Sequence, residues 1–374
     1  MTNHQYDTSE EFEVVVIGGG QAGLAAGYHL GAAGLDFVIL DAGQRIGDAW
    51  RNRWDSLRLF TPAQQNGLPG MPFPGEPGSF PTKDEMAEYL EWYAEHFDLP
   101  IRLKTPIDRL RRIGDRYAIS SGWDLFEAHD AVVATAAYAE PRTPDFATDL
   151  DPRTVQMHSA AYRHPNQLQP GPVLVVGAGN SGVEIALETA QAGHQTWLSG
   201  HPTGHVPSIT RAAGGRPFWW FANRVLTVDT PIGRKFRERA LSHGGPLIRV
   251  GSAELTEAGV KRVGRVVGVS HGQPMLDAEG PLTVTNVVWC TGFGSDFSWI
   301  EVPIFTAAGL PIHHRGIVED APGLYFLGLP FLYGLTSGLV GGVGRDAEHI
   351  VGHIQRRQGS ESRVGSEVAD RTLR

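Results

Sequence analysis

The sequence is almost without cysteine, because its 374 residues include only Cys290. One cysteine excludes an intramolecular disulfide, a CxxC redox pair and a cysteine-based zinc cluster. The chain also has no apolar run that approaches about 18 residues, the length needed for a membrane-spanning helix. Its N-terminus is polar and acidic and has no signal-peptide core. The sequence therefore predicts a soluble cytoplasmic protein with no metal site and no membrane partner.

Positive charge is also in short supply. Lys and Arg number 32 against 41 Asp and Glu, which gives a net charge of −9 and a pI near 5.9. This balance argues against nucleic acid as the main partner. A hydrophobic content of 41% is typical of a globular chain with ample core. At about 150 residues per domain, the length predicts two to three domains.

The chain is organised around the stretch Val14–Asp41. Four β-branched residues predict a buried strand, and a Gly18-x-Gly20-x-x-Gly23 turn leads from it into a helix. A second strand follows and ends at Asp41. Gly18 permits a tight turn, Gly20 lets the backbone approach a pyrophosphate, and Gly23 lets the helix pack close to the strand. Asp41 can accept hydrogen bonds from a ribose diol, so the stretch predicts dinucleotide binding rather than an ordinary glycine-rich βα turn.

The same pattern recurs in Val173–Gly200 without a gap. Three glycines of the second copy, Gly177, Gly179 and Gly182, fall on those of the first. Two copies predict two dinucleotide-binding βαβ units.

The copies differ at the corner that contacts the ribose. The position of Asp41 is taken by Gly200, followed by His201. An acid there would favour NAD and an arginine would favour NADP. His201 could contact either ribose or be a solvent-exposed loop residue, and Arg211 is a more distant candidate for a 2′-phosphate.

Elsewhere the sequence predicts local structure only. Residues 1–11 read as a loose tail, and Thr82 with Glu85 reads as a capping box that opens a helix. A final helix is predicted over Asp346–Arg356, followed by a polar, disordered end. The aromatic cluster Phe218–Phe221 could line a substrate channel, form a subunit contact or be buried between domains.

The sequence resembles the flavin-containing monooxygenases and their relatives among the class B flavoprotein monooxygenases. The resemblance covers about residues 12–352 and is closest to short bacterial CzcO-like members. It is carried by the two glycine motifs, a WxxRWDSLRLFTP stretch, HSAAYR at 158–163 and CTGF at 290–293. It implies an α/β fold with two Rossmann-like dinucleotide-binding domains, the nicotinamide domain inserted in the FAD domain.

The resemblance implies domain boundaries and cofactor contacts. The FAD domain would comprise residues 1–165 and 285–374, with a disordered C-terminal tail, and the NAD(P)H domain residues 166–284. FAD would be the ligand of the first glycine motif, and NADPH, NADH or both the ligand of the second. The residues implied at the cofactors are Gly18, Gly20, Gln21, Ala22, Gly23, Asp41, Trp50, Arg51, Gly177, Gly179, Asn180, Ser181, Gly182, His201 and Gly328.

The sequence departs from the family at several positions. His158 and Tyr162 fit the second half of the family's FxGxxxHxxxY/F fingerprint, whereas Pro152 and Thr154 stand where Phe and Gly belong. The asparagine that many members place over the flavin corresponds here to Phe60. Phe60 and Asn66 are the residues we expect in the catalytic pocket.

The resemblance implies an FAD-dependent, NAD(P)H-oxidising monooxygenase that uses molecular oxygen as co-substrate. Such an enzyme forms a flavin C4a-(hydro)peroxide and oxygenates a small sulfide, amine or ketone, the last in Baeyer–Villiger fashion. Two alternatives stay open: an NAD(P)H oxidase or flavin reductase that releases H2O2, and a non-catalytic flavin-binding redox sensor. The partner is a small-molecule substrate, and a homodimer is possible.

Overall fold

The structure is a computed structural model that describes residues 8–135, 140–204, 216–242 and 246–372. In chain order its strands are β1 (Thr8–Ile17), β2 (Phe37–Leu40), β3 (Ile101–Arg102), β4 (Arg109–Ile113), β5 (Arg116–Ser121), β6 (Asp124–Val133), β7 (Glu140–Pro141), β8 (Val155–His158), β9 (Val173–Val176), β10 (Thr196–Ser199), β11 (Lys261–Val263), β12 (Val266–Ser270), β13 (Gln273–Leu276), β14 (Gly280–Pro281), β15 (Asn286–Trp289), β16 (Phe293–Gly294) and β17 (Leu324–Phe326). Its α-helices are α1 (Gln21–Ala32), α2 (Asp48–Arg51), α3 (Lys83–His96), α4 (Asn180–Gln191), α5 (Arg216–Arg224), α6 (Pro231–Ser242), α7 (Ser252–Glu257) and α8 (Val340–Thr372).

The first sheet has seven strands in the order β3-β2-β1-β6-β5-β4, with β17 paired to β6. β1, β2, β3, β6 and β17 run parallel, whereas β4 and β5 form an antiparallel extension. The four residues of β2 are all buried, as expected for a parallel strand covered on both faces.

The second sheet has five parallel strands in the order β11-β10-β9-β15-β8. It lies in sequence between β6 and β17, so one dinucleotide-binding unit is inserted in the other. The predicted α/β fold with two Rossmann-like units is therefore confirmed. Smaller antiparallel sheets of β12–β14 and of β7 with β16 complete the described strands.

The predicted domain boundaries miss two strands of the second sheet. β8 and β15 pair in this sheet, yet both lie outside the predicted range 166–284. The sequence does not place these two strands, because a short parallel strand carries no signal of which sheet it joins. We therefore propose that the inserted unit begins before Val155 and ends after Trp289.

The repeat in the sequence is reproduced in the structure residue by residue. The helices α1 and α4 each contain 12 residues and begin after a glycine with nearly the same backbone angles, φ −76° at Gly20 and φ −78° at Gly179. Val14 pairs with Phe37 in the first unit, and Val173 pairs with Thr196 at the matching position of the second. The two predicted βαβ units are confirmed.

Glycine is required at the turns for the predicted steric reasons. Gly18 and Gly177 have φ values of +110° and +111°, which side chains rarely adopt. A Cβ on Gly23 would lie 1.8 Å from the carbonyl oxygen of Gly18, and one on Gly182 would lie 1.7 Å from that of Gly177. Both helices can therefore pack this close to their strands only with glycine at these positions.

Both ends of the chain are more regular than the sequence predicts. β1 begins at Thr8 and pairs with β6 from its first residue, so the predicted loose tail of residues 1–11 was too long. Helix α8 runs over Val340–Thr372, whereas we predicted a helix of Asp346–Arg356 followed by a disordered end. The sequence understates α8 because Gly341, Gly342 and Gly344 have low helix propensity, which packing against α1 overrides.

The predicted capping box of α3 is present. The Thr82 hydroxyl accepts a hydrogen bond from the Glu85 backbone N–H, and the Glu85 carboxylate accepts one from the Thr82 backbone N–H. None of the helices in the described part of the chain combines the length and the apolarity needed to cross a bilayer.

Candidate active site

A cleft of about 580 Å³ opens where the parallel strands of the first sheet end. Ile17 at the end of β1 and Leu40 at the end of β2 lie at its floor, together with Ala134 just after β6. β1 lies between β2 on one side and β6 on the other, so the strand order reverses here. Open α/β sheets bind their ligands at such a switch point.

The starts of three helices reach this cleft. Gln21 of α1, Ser181 of α4 and Val340 of α8 all line it, and each belongs to the first turn of its helix. No side chain caps the N-terminus of α1 or α4. Their free N–H groups and positive dipole ends therefore favour an anionic ligand such as a pyrophosphate. A Cβ on Gly20 would have no neighbour within 4 Å, so the backbone there is open to such a ligand.

Asp41 lies at the rim of the cleft and is held by the backbone around it. Its carboxylate accepts hydrogen bonds from the N–H groups of Gly19 at 2.6 Å and of Gly43 at 2.7 Å. Each bond uses one oxygen, so both oxygens keep acceptor capacity for a ribose diol. The predicted cradle of Gly18, Gly20, Asp41 and their neighbours is thus brought together on one side of the cleft.

Aromatic side chains line the rest of the cleft. Trp50, Phe60, Phe293 and Trp299 all contribute to its surface. The guanidinium carbon of Arg53 lies 5.3 Å from the centre of the Phe293 ring, and its Nε donates to the Ala49 carbonyl. These residues can hold a planar ring system and exclude water from it.

Arg51 and Asn66 were predicted at the site but do not line the cleft. The guanidinium of Arg51 donates to the carbonyl of Ile46 and to the carboxylate of Glu91 on α3, so it faces away from the cleft. Asn66 is fully buried, and its amide bonds to Thr61 and to the carbonyl of Pro62. Asn66 therefore holds the loop that follows Phe60 and is not itself part of the cleft surface.

Phe60 and Arg53, which are close in sequence to Asn66 and Arg51, do line the cleft. Phe60 was predicted there, but Arg53 was not, although it lies only two residues from Arg51. Arg51 is the last residue of α2 and Arg53 lies beyond its end, so the relative direction of the two side chains depends on how the chain leaves the helix. The sequence alone did not indicate which of them faces the ligand.

The second unit reaches the same cleft through the start of α4. Ser181 lines the cleft, whereas Gly177, Gly179 and Gly182 form the turn beside it and Asn180 donates to the carbonyl of Pro246. His201 is exposed, does not line this cleft, and follows Gly200, whose φ is +127°. Arg211 lies outside the described residues.

The remaining fingerprint residues have structural contacts. His158 Nδ1 accepts from the Ala160 N–H and Nε2 donates to the Gly292 carbonyl, while burial lowers the pKa of His158. The Tyr162 hydroxyl donates to the Glu188 carboxylate on α4, and burial raises the pKa of Tyr162. Burial also raises the pKa of the Cys290 thiol to about 12, so this cysteine stays protonated beneath the second glycine turn.

Other parts of the cleft wall also escaped prediction, because their position depends on tertiary packing. They include Phe293 and Trp299 after β15, the turn Gly338–Leu339 before α8, and the segment Thr105–Ile107 after β3. Gly328 was predicted at the cofactor, and it does line the cleft. Its positive φ of +80° places it against α1, where a Cβ would lie 3.0 Å from that of Ala22.

Known proteins share this arrangement. The family described as pyridine nucleotide-disulphide oxidoreductase matches residues 15–205. The CzcO-like oxidoreductase of Geobacillus kaustophilus (strain HTA426) is 40% identical over 354 residues, which cover 91% of this chain and 98% of that protein. The probable indole-3-pyruvate monooxygenase YUCCA3 of Arabidopsis thaliana is 27% identical, covering 95% of this chain and 89% of that protein.

A solved structure agrees over nearly the whole chain. The flavin-containing monooxygenase from Stenotrophomonas maltophilia is 27% identical with a TM-score of 0.78, covering 93% of this chain and 99% of that one. The chain belongs to the flavin-containing monooxygenase family. It is therefore a flavoprotein oxidoreductase, which confirms the prediction of an NAD(P)H-dependent flavoenzyme. Because Cys290 is its one cysteine, this member of the family has no internal dithiol for disulfide chemistry.

Proposed function

We propose that the chain is a monooxygenase that binds FAD in the cleft of the first unit and NAD(P)H at the second. The observation that carries the proposal is the convergence of both glycine units on one cleft, where Ser181 of α4 faces the cradle of α1. A nicotinamide held by the second unit would then lie beside a flavin held by the first. The revised domain boundaries, before Val155 and after Trp289, are part of this proposal.

The residues of the cleft fit FAD. The turn at Gly18–Gly20 and the start of α1 would hold the pyrophosphate, and Asp41 would accept the hydroxyls of the adenosine ribose. Trp50 and Phe60 would border the flavin ring. When bound, FAD supplies hydride acceptance from the nicotinamide and activation of molecular oxygen.

The role of the protein in this reaction is to position the reactants and exclude water. The charged side chains among the described lining residues are Asp41, Arg53 and Arg58, and no histidine is among those lining residues. The apolar wall suits a small substrate that needs no general base, such as a sulfide, an amine or a ketone. We propose these three substrate classes, and Phe60 as a residue of the catalytic pocket.

The apolar side chain of Phe60 favours one alternative function, an oxidase. Phe60 places an apolar ring where many family members have an asparagine, so the cleft has one hydrogen-bond donor fewer beside the oxygen-activating ring. A cleft of this kind would favour release of H2O2 over transfer of oxygen to a substrate. The second candidate function is therefore an NAD(P)H oxidase.

One experiment separates these functions. The purified protein would be reduced with NADPH and, separately, with NADH in the absence of oxygen, and flavin absorbance would be followed. Air would then be admitted with methyl phenyl sulfide, a tertiary amine or a cyclic ketone present, and both oxygenated product and H2O2 would be measured. We expect reduction by both nucleotides and product formation coupled to nucleotide oxidation. H2O2 equal to the nucleotide consumed with every substrate would establish the oxidase, and no reduction by either nucleotide would establish a non-catalytic flavin protein.

A further inference from the structure

Helix α5 turns large aromatic side chains to solvent in a regular stripe. Pro217, Trp220, Phe221 and Arg224 are all exposed and follow the spacing of one helix face, with Trp220 63% and Phe221 41% accessible. The opposite face is buried, since Trp219 is 6% and Ala222 0% accessible. The sequence cluster Phe218–Phe221 is therefore divided between the core and the surface.

The next helix in the chain, α6, adds exposed positive charge close in sequence to this stripe. Arg234, Lys235 and Arg237 of α6 are exposed, and Ile232 at its start is 60% accessible. Between residues 216 and 241 the sequence has six Lys or Arg against two Asp or Glu, in a chain whose net charge is −9. We call the exposed residues Trp220, Phe221, Arg224, Arg234 and Lys235 the aromatic-basic patch.

Charge decides what such a surface can bind. A second copy of the chain, docked through the same face, would bring the same three cations, Arg224, Arg234 and Lys235, into the interface from both sides, because a twofold interface uses the same patch of both subunits. An anionic bilayer instead offers negative charge to the cations and an interfacial layer to the rings of Trp220 and Phe221. The acidic remainder of the chain would turn the molecule so that this patch faces the membrane.

We propose that the aromatic-basic patch docks the protein on the surface of an anionic lipid bilayer. Trp220 and Phe221 lie among the headgroups, and Arg224, Arg234 and Lys235 contact lipid phosphates. This is peripheral binding, without a membrane-spanning segment. It differs from the expectation from the sequence that the chain has no membrane partner, and the vesicle experiment decides between the two.

Docking through α5 would involve a wall of the catalytic cleft. The Asn223 carbonyl accepts from Arg345 at 3.0 Å, the Thr336 hydroxyl donates to the Asn223 amide oxygen at 2.6 Å, and Leu335 N–H donates to the Leu226 carbonyl. In the segment that follows, Gly338, Leu339, Val340 and Val343 line the cleft. The lipid surface would thus lie against the element that supports this wall, close to where apolar substrates dissolve in the bilayer.

Vesicle flotation tests the proposal independently of activity. The full-length protein would be mixed with vesicles of phosphatidylcholine alone and with vesicles containing one quarter phosphatidylglycerol. We expect binding to the anionic vesicles only, weakening as salt rises. The double variant Trp220→Ser with Phe221→Ser should lower the partition coefficient about tenfold, and Lys235→Glu should lower it for anionic vesicles.

Trp123 provides a matched control. It is 62% accessible, nearly the same as Trp220, but lies in the turn between β5 and β6. Trp123→Ser should bind vesicles like the unchanged protein, and the melting temperature of every variant would show that it is folded. Binding that is absent at low salt, equal on both vesicle types or unchanged in the double variant would overturn the proposal. So would a dimer that the double variant abolishes, since this would assign the patch to a second copy.

Discussion

Gly20 and Gly179 are equivalent residues of the two repeat units, and each leaves open space where a side chain would lie. A Cβ at either position would have no neighbour within 4 Å, and their φ values of −76° and −78° suit any residue. Alanine can therefore replace either glycine without strain in the protein itself. The added methyl group would instead occupy the path by which a pyrophosphate approaches the backbone.

The two alanine variants test which unit holds which cofactor. We expect Gly20→Ala to weaken FAD binding about tenfold while leaving the fold intact, and Gly179→Ala to retain FAD but raise the KM for NADPH about tenfold. Flavin absorbance after dialysis and steady-state kinetics with added FAD would measure these effects. Each variant is the control for the other. Loss of FAD from Gly179→Ala alone would reverse the assignment of the two units.

His201 provides a test of nucleotide preference at the corner where the repeat units differ. The adjacent Gly200 has a φ of +127°, and a Cβ there would lie 3.1 Å from the Ala178 nitrogen, so a side chain at 200 would be strained. His201 is exposed and accepts a larger side chain more readily. We expect His201→Arg to pair with the 2′-phosphate and to raise the preference for NADPH over NADH about tenfold.

The ratio of kcat/KM for the two nucleotides would measure this change. His201→Gln, which has a neutral side chain, serves as the control and should leave the ratio within about twofold. An unchanged ratio in His201→Arg would show that the ribose lies elsewhere and would contradict our assignment of this corner.

At the scale of elements, the sequence predicted what is local and missed what depends on packing. The turn, helix and strands of both units were predicted because glycine spacing and apolar runs act within about 30 residues. The meeting of Ser181, Phe293 and Trp299 in one cleft was not predicted, because it depends on how two sheets pack. The buried position of Asn66 was not predicted, because the sequence shows its polarity but not the carbonyl groups that its amide satisfies.

The N-terminus of helix α3, whose cap the sequence predicts, contacts residues of the cleft wall. Its cap residue Thr82 forms an isolated antiparallel β-bridge with Arg58, and the Lys83 N–H donates a hydrogen bond to the Leu57 carbonyl. Leu57 and Arg58 line the cleft, so the start of α3 supports one of its walls. A cap that the sequence predicts therefore positions residues whose role the sequence does not reveal.

Removal of this cap should weaken both the helix and the cleft wall. We expect Thr82→Ala to cost about 1 kcal/mol of folding free energy, because the Glu85 N–H loses its acceptor. This corresponds to a fall of about 2 °C in the melting temperature, measured by calorimetry. Thr82→Ser keeps the hydroxyl and should melt within 1 °C of the unchanged protein. Equal destabilisation by Ala and Ser would mean that the Thr82 methyl group, rather than the cap, is what matters.

At the scale of the whole molecule, helix α8 joins the cleft to the first sheet. It begins with Val340 at the cleft, and farther along it Arg357 forms a two-bond ion pair with Asp130 of β6, at 2.8 and 3.2 Å. Asp130 is fully buried and also accepts from Gln358. Burial raises the pKa of Asp130, and the Arg357 guanidinium opposes this shift. The charge of Asp130 is thus tolerated in the core because α8 supplies its partner.

Removing one partner of this ion pair should therefore cost more than removing both. We expect Arg357→Ala to lower the free energy of unfolding by about 3–5 kcal/mol, because it leaves a buried carboxylate without its cation. The pair of changes Arg357→Met and Asp130→Leu should cost less than Arg357→Ala, since apolar side chains of similar size need no partner. Urea denaturation followed by flavin fluorescence and by circular dichroism would measure both. Arg356→Ala, at the exposed neighbouring position, should change stability by less than about 0.5 kcal/mol. If the double variant is the least stable of the three, the ion pair is a net source of stability, and α8 is held to the sheet by charge rather than by apolar packing.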